Sequence, residues 1–312
     1  TFNMERISVK ALLATVALAL SVGLPAYAQQ LSVGTGGPKG TYATQFQEMQ
    51  KACGNELPLV PVASSGAVEN LERLINNEIN MGYVQSDLLF RRARIQDLSN
   101  IKTLLAMHTE QIHFVARNEV RKSGGVMGIG GDKWQLRSID QLAGLKVAAA
   151  GGSVETAKQI KTDSDIGYTI VEAASADFAL NLLREGKVDA ALLVGGAPLG
   201  NLRSLGQEYT LLSVPQGVYE KIKGAYKPAR VTYSQMGAQG VQTVAIDALL
   251  VTREYKTPRM VEALGRFRQC VLSKIEEIKE TTGTHSSWQT VDPDNKGRWA
   301  WYELPGGAKA KK

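Results

Sequence analysis

From residue 31 onward, short apolar runs alternate with amphipathic stretches. Residues 31–34 and 57–63 read as strands, with a helix over 41–52 between them. In 67–79, Val68, Leu71, Leu74 and Ile75 fall on one stripe, the spacing of a helix that buries one face. A third apolar run, 81–84, ends at Gln85-Ser86-Asp87. Strands and helices in this alternation predict a parallel sheet with right-handed crossovers. The pattern restarts after Ser138-Ile139-Asp140: strands over 145–150, 168–171 and 188–194, helices over 153–160 and 176–184. Two such blocks predict two α/β lobes. A long strand over 243–252 and a long helix over 258–280 are expected to return the chain to the first lobe and make the connection double. The expected division is 29–115 with 245–312 in lobe 1, and 116–244 in lobe 2. Residues 120–135, with Gly124, Gly125, Gly128, Gly130 and Gly131, read as a flexible surface excursion. Residues 288–302 hold three tryptophans without a period and are expected to pack over a lobe surface.

The first 28 residues change the picture. Met4 opens a short segment carrying Arg6 and Lys10, followed by an apolar stretch over 11–24 and then Pro25-Ala26-Tyr27-Ala28. Positive, apolar, helix-breaker, small-x-small is the order of a secretory signal, with cleavage expected after Ala28 and Thr1, Phe2 and Asn3 outside it. The stretch is short of the roughly 20 residues a membrane span needs. The residue directly after the cleavage point is Gln29 and not cysteine, so a lipid anchor is not expected and the periplasm is the expected compartment. That oxidising space permits a disulfide between Cys53 and Cys270, the chain's only cysteines; two buried thiols are the alternative.

Composition then narrows the classes. With 44% hydrophobic residues, the 312-residue chain has too much apolar content for disorder, and two cysteines are too few for a disulfide scaffold. The net charge of +6 is mostly scattered, the clusters being Arg91, Arg92 and Arg94 and a lysine-rich C-terminal end. Solvated faces explain these better than a phosphate groove, so no nucleic-acid partner is expected. His108, His113 and His285 lack metal-ligand spacing, and no Gly-x-Ser-x-Gly turn occurs, so neither an enzyme nor a metal or other cofactor is expected.

The chemistry lies in the glycine turns. Gly34-Thr35-Gly36-Gly37-Pro38-Lys39-Gly40-Thr41 joins a strand to a helix, which makes an anion site. A P-loop would need Gly-Lys-Ser/Thr, and a dinucleotide turn would need G-x-G-x-x-G; both are absent here. Ser64-Ser65-Gly66, Gln85-Ser86-Asp87, Gly151-Gly152-Ser153 and Gly195-Gly196-Ala197-Pro198 also end parallel strands, where open α/β sheets bind ligands. Any one of these turns is explained as well by helix capping. Five of them on two lobes favour a small polar or anionic ligand clamped between.

Gly34-Thr35-Gly36-Gly37, Gly40-Thr41-Tyr42, Ser65-Gly66-Ala67-Val68-Glu69-Asn70-Leu71 and Val84-Gln85-Ser86-Asp87 together resemble the TAXI family of solute-binding proteins of TRAP-type transporters. Leu142-Ala143-Gly144-Leu145-Lys146-Val147, Val188-Asp189-Ala190-Ala191 and residues 244–253 extend the resemblance in order along most of the chain. It implies a type II-like, two-lobed α/β periplasmic binding protein, with a hinge between lobes and a ligand cleft at the carboxyl ends of strands. It further implies a monomer that hands a small carboxylate or amino acid to membrane transport subunits. A ligand sensor that presents its closed form to a membrane receptor is the alternative on the same fold, and a secreted enzyme on that scaffold is the less favoured one. Two departures stand out. Tyr42 is followed by Ala43-Thr44 where the family often has Tyr-Pro, and Glu155 follows Gly152-Ser153-Val154, where it would repel a carboxylate if it faced the cleft.

The candidate ligand residues follow from these turns. Gly37, Thr41 and Tyr42 are expected at the first turn, Ser64 and Ser65 at the second, and Gln85 and Asp87 after the third strand. Gly152, Ser153 and Thr156 are expected to complete the clamp from the second lobe, together with Gly196. Asp87 is read either as an ammonium receiver or as a helix cap. Lys39 and Arg117 are the candidate cations, Arg117 alternatively a surface residue near the hinge after a strand over 113–116.

Overall fold

The computed structural model describes residues 29–304 apart from 39, 56, 120 and 123–132. The expected signal segment and most of the glycine-rich excursion therefore lie outside the described residues. The chain begins with β1 (Leu31–Gly36), α1 (Thr41–Cys53), β2 (Leu59–Ala63), α2 (Ala67–Ile75), β3 (Met81–Gln85) and α3 (Ser86–Arg92). The 17-residue β4 (Ile101–Arg117) follows, then the two-residue strands β5 (Arg121–Lys122) and β6 (Lys133–Trp134). A second block comprises β7 (Lys146–Ala150), α4 (Gly152–Ser164), β8 (Thr169–Ala173), α5 (Ala176–Arg184) and β9 (Ala190–Gly195). The chain continues through β10 (Tyr209–Leu211), α6 (Gln216–Ile222), β11 (Lys227–Tyr233), β12 (Ala238–Arg253) and α7 (Pro258–Glu280).

One sheet carries the order β2-β1-β3-β12-β4-β9-β7-β8, with β10 on β4 and β11 on β12. β1 pairs in parallel with β2 and β3, and β7 with β8 and β9. β4 and β12 run antiparallel to each other and join the two parallel groups. Both strands change hydrophobic cluster along their length. Ile101–Met107 of β4 and 248–251 of β12 pack with the first block, whereas Ile112, Phe114, Val244 and Ile246 pack with the second. Between these halves Glu110 pairs with Ile246, and the register shifts between Asp247 and Leu249. Such an irregularity bends a strand locally, here where one lobe gives way to the other. The strand expected only over 113–116 thus begins twelve residues earlier. Thr109, Glu110 and Gln111 break its apolar run at the change of lobe and hide its continuity.

The closing elements cover lobe 1. Helix α7 buries Met260, Leu264, Phe267, Val271 and Ile275 in the first cluster. A disulfide joins its Cys270 to Cys53 at the end of α1. Trp288 is fully buried and its indole donates to Glu48, while Trp299 Nε1 donates to Ile101 O at 2.8 Å, so the tryptophan-rich tail lies over lobe 1. Among the described residues, no helix is long and apolar enough to cross a membrane.

Candidate functional site

A cavity of about 420 Å³ opens between the two blocks at the carboxyl ends of β1, β2, β7, β8 and β9. Its size suits a small organic ligand. Four helices begin on its wall: the N-cap residues Gly40 of α1, Gly66 of α2, Gly151 of α4 and Ser175 of α5 all line it. Ser175 caps its own helix, its Oγ accepting from Phe178 N at 3.1 Å. The three glycines bring no side-chain cap to α1, α2 and α4; α1 has no acid in its first turn, α4 carries Glu155 there, and at α2 Glu69 Oε2 accepts from Ser65 N at 2.7 Å. Gly66 at φ +125° and Gly151 at φ +53° hold backbone that side chains other than hydrogen rarely adopt, which makes glycine the residue for both turns.

The lobe 1 wall is held from behind by one network. Ser64 Oγ accepts from Gly36 N at 3.0 Å and Gly66 N at 3.2 Å and donates to Asn70 Oδ1 at 2.6 Å. Asn70 Nδ2 donates in turn to Gly34 O at 3.1 Å and Tyr83 O at 2.9 Å. Ser64 lines the cavity, yet its hydroxyl is committed to shaping the two glycine turns. Tyr42 stacks on Tyr83 with centroids 4.7 Å apart and donates its hydroxyl to Glu110 Oε2 at 3.0 Å. Burial, reinforced by the Glu110 charge, pushes the Tyr42 phenol well above its ordinary range, which keeps it a donor.

The structure brings together Gly37, Thr41, Tyr42, Ser64, Ser65, Gln85, Gly152 and Ser153 on the cavity wall. Ser153 Oγ accepts from Val194 N at 3.2 Å and so ties α4 to β9. Asp87 and Thr156 are placed elsewhere, buried where α3 meets α4. Asp87 Oδ2 accepts from Thr156 Oγ1 at 2.7 Å and from Tyr226 Oη at 3.1 Å, while Oδ1 accepts from Leu88 N at 2.9 Å. Burial raises the Asp87 carboxyl to about 6 against the pull of these three donors. Beside them Arg91 Nε meets Glu155 Oε2 at 2.8 Å, and Lys158 meets Glu155 Oε1 at 3.0 Å. Burial opposes ionisation of Glu155, yet Lys158 and Arg91 hold its carboxyl below the usual range. Glu155 therefore bridges to lobe 1 and does not line the cavity. Gly196 lies against His108 and Ser287, outside the lining. Arg117 sits at the far end of β4, partly exposed, 3.4 Å from Glu119. Lys39 lies outside the described residues.

Residues 33–292 match the NMT1-like family. The chain belongs to the NMT1-like family. Solved structures similar to this NMT1-like chain include the substrate-binding protein of an amino acid ABC transporter. Its TM-score is 0.51 at 9% identity, over 81% of this chain and 95% of that one. Another is the zinc-bound ligand-binding component of an ABC-type import system from Staphylococcus aureus. It has a TM-score of 0.51 at 13% identity, over 88% of this chain and 86% of that one. At such identities the likeness is one of fold, and the fold is the two-lobed periplasmic-binding-protein type expected from the sequence.

Several parts of this NMT1-like cavity are absent from the sequence reading, Leu199 and Asn201 among them. Ala174-Ser175-Ala176 repeats the strand-to-helix turn of small residues at the end of β8, a signal that was available. Glu110 carries no such signal, being one acid inside a long apolar strand. Yet it is the only Asp or Glu on the described lining, which contains no Lys, Arg or His.

Proposed function

We propose that the chain is a periplasmic solute-binding protein of the TAXI type, serving a TRAP-type transporter. It captures a small polar ligand bearing a carboxylate and releases it unchanged to membrane transport subunits. The observation that carries this reading is the convergence of three uncapped helix N-termini, drawn from both lobes, on one small cavity. Such termini offer N–H groups and positive potential to an anion. The lobes divide within β4 and β12, so that residues 29–109 with 248–304 form one lobe and 112–246 the other. β4 and β12 act as the hinge about which the lobes close on the ligand. Gly37, Thr41, Ser65 and Tyr42 hold the ligand from lobe 1, and Gly152 and Ser153 complete the clamp. The protein works as a monomer, with no cofactor.

Native mass spectrometry of the protein purified from its host's periplasm tests the reading. The expected species begins at Gln29 and carries an excess mass that leaves intact on denaturation. A bare mass, together with no thermal shift from any carboxylate or amino acid, overturns it. Turnover of the released compound would make the protein an enzyme instead.

A further inference from the structure

The cavity is polarised. Its helix N-termini suit negative charge, but Glu110 puts a carboxylate on the same lining, at 3% exposure. Of its roughly four lone-pair sites, one accepts from Tyr42. His108 Nε2 lies 3.4 Å from the other oxygen, beyond good hydrogen-bond distance, and neither ring nitrogen of His108 has a hydrogen-bond partner. Gln85 Oε1 is a buried acceptor on the lining without a donor. Buried acceptors left unpaired are costly, and a buried charge more so. A ligand carrying only negative charge would satisfy the helix ends while leaving Gln85 Oε1 without a donor and adding repulsion at Glu110.

We infer that Glu110 receives a protonated amino group, so that the ligand is an α-amino acid zwitterion and a bare carboxylate is discriminated against. Its carboxylate lies on the helix N-termini, and its ammonium, a three-fold donor, on Glu110 with Gln85 Oε1 as a further acceptor. Tyr42 holds the Glu110 carboxylate in place through Oε2. This inference rests on the solute-binding reading of the same cavity and adds a specificity-determining residue to it.

Calorimetric titration with matched pairs tests it: alanine and pyruvate, glutamate and 2-oxoglutarate, leucine and 4-methyl-2-oxopentanoate, phenylalanine and phenylpyruvate. The members of each pair differ at the amino position. In the wild-type protein at least one amino acid is expected to bind, and at least tenfold tighter than its oxo acid. Glu110→Gln keeps the shape and an acceptor for Tyr42, and is expected to shrink that ratio at least tenfold by weakening the amino acid. Equal or tighter binding of the oxo acid overturns the inference and leaves the solute-binding reading standing. So does an unchanged ratio in a folded Glu110→Gln, or a co-purified ligand without an amino group. If the variant does not fold, the wild-type ratio decides alone. Silence of the whole panel also overturns the inference, and the co-purified mass then judges the solute-binding reading separately.

Discussion

The Thr156 hydroxyl donates to Asp87 Oδ2 at 2.7 Å, joining the α4 wall of one lobe to the α3 wall of the other. The carboxylate at this junction is fully buried and titrates near 6, while His113, buried in lobe 2 against Tyr233, is lowered by burial to about 4. The signs are opposite. Native Asp87 holds its proton to higher pH than in the unfolded chain, so its contribution to stability falls as pH rises from about 4 to 6. Native His113 stays neutral where the unfolded chain is protonated, so its contribution is lost as pH falls from about 6.5 to 4. Each is worth on the order of 3 kcal/mol across its window, and in the wild type they offset. Between pH 6.5 and 4, Asp87→Asn should therefore lose stability relative to wild type, and His113→Gln should gain it. Urea denaturation at both pH values reads the difference.

Gly152 faces Gln85 so closely that a Cβ on it would collide with Oε1, across the line where the lobes meet. Gly152→Ala is expected to hold the lobes slightly apart without unfolding either. The obstructing atom is the end of a flexible side chain that can swing aside, so the cost lies near the low end of overpacking, about 1 kcal/mol, and ligand affinity should fall roughly fivefold. Calorimetry with the co-purified ligand measures it, and unchanged affinity would separate this contact from closure.

Asn70 has no exposed surface and three side-chain hydrogen bonds, two of them to carbonyls of β1 and β3. Asn70→Ala leaves those partners buried and unpaired, at a cost of about 2–4 kcal/mol. It also frees the Ser64 hydroxyl from its acceptor. Both a lower midpoint in thermal denaturation and weaker ligand binding are expected.

The Cys53–Cys270 disulfide spans 217 residues of sequence but ties only α1 to α7, within lobe 1. Serine at both positions should cost about 2–5 kcal/mol. Cys53 ends a 13-residue helix whose first turn is at the cavity, a separation of about 18 Å, so ligand affinity should be unchanged. Denaturation with and without reductant, beside calorimetry, checks both halves.

The sequence by itself determined the two strand–helix blocks, the helix over 258–280 and the glycine turns that line the cavity. Each is a local matter: periodicity sets which face is buried, and a turn at positive φ favours glycine. The long-range consequences were decided only by tertiary structure. β4 is one strand of 17 residues because both lobes pack against it, and no local pattern announces that its polar middle is a change of lobe. Asp87, Thr156 and Glu155 sit at cleft-like turns in sequence, yet they meet partners 69, 139 and 64 residues away and bridge the lobes beside the cavity. Glu110 acquires its place through pairing of β4 with β12 and through Tyr42, 68 residues distant. Whether an acid faces solvent, a partner or a ligand depends on what the rest of the chain brings against it, and that is a property of the fold.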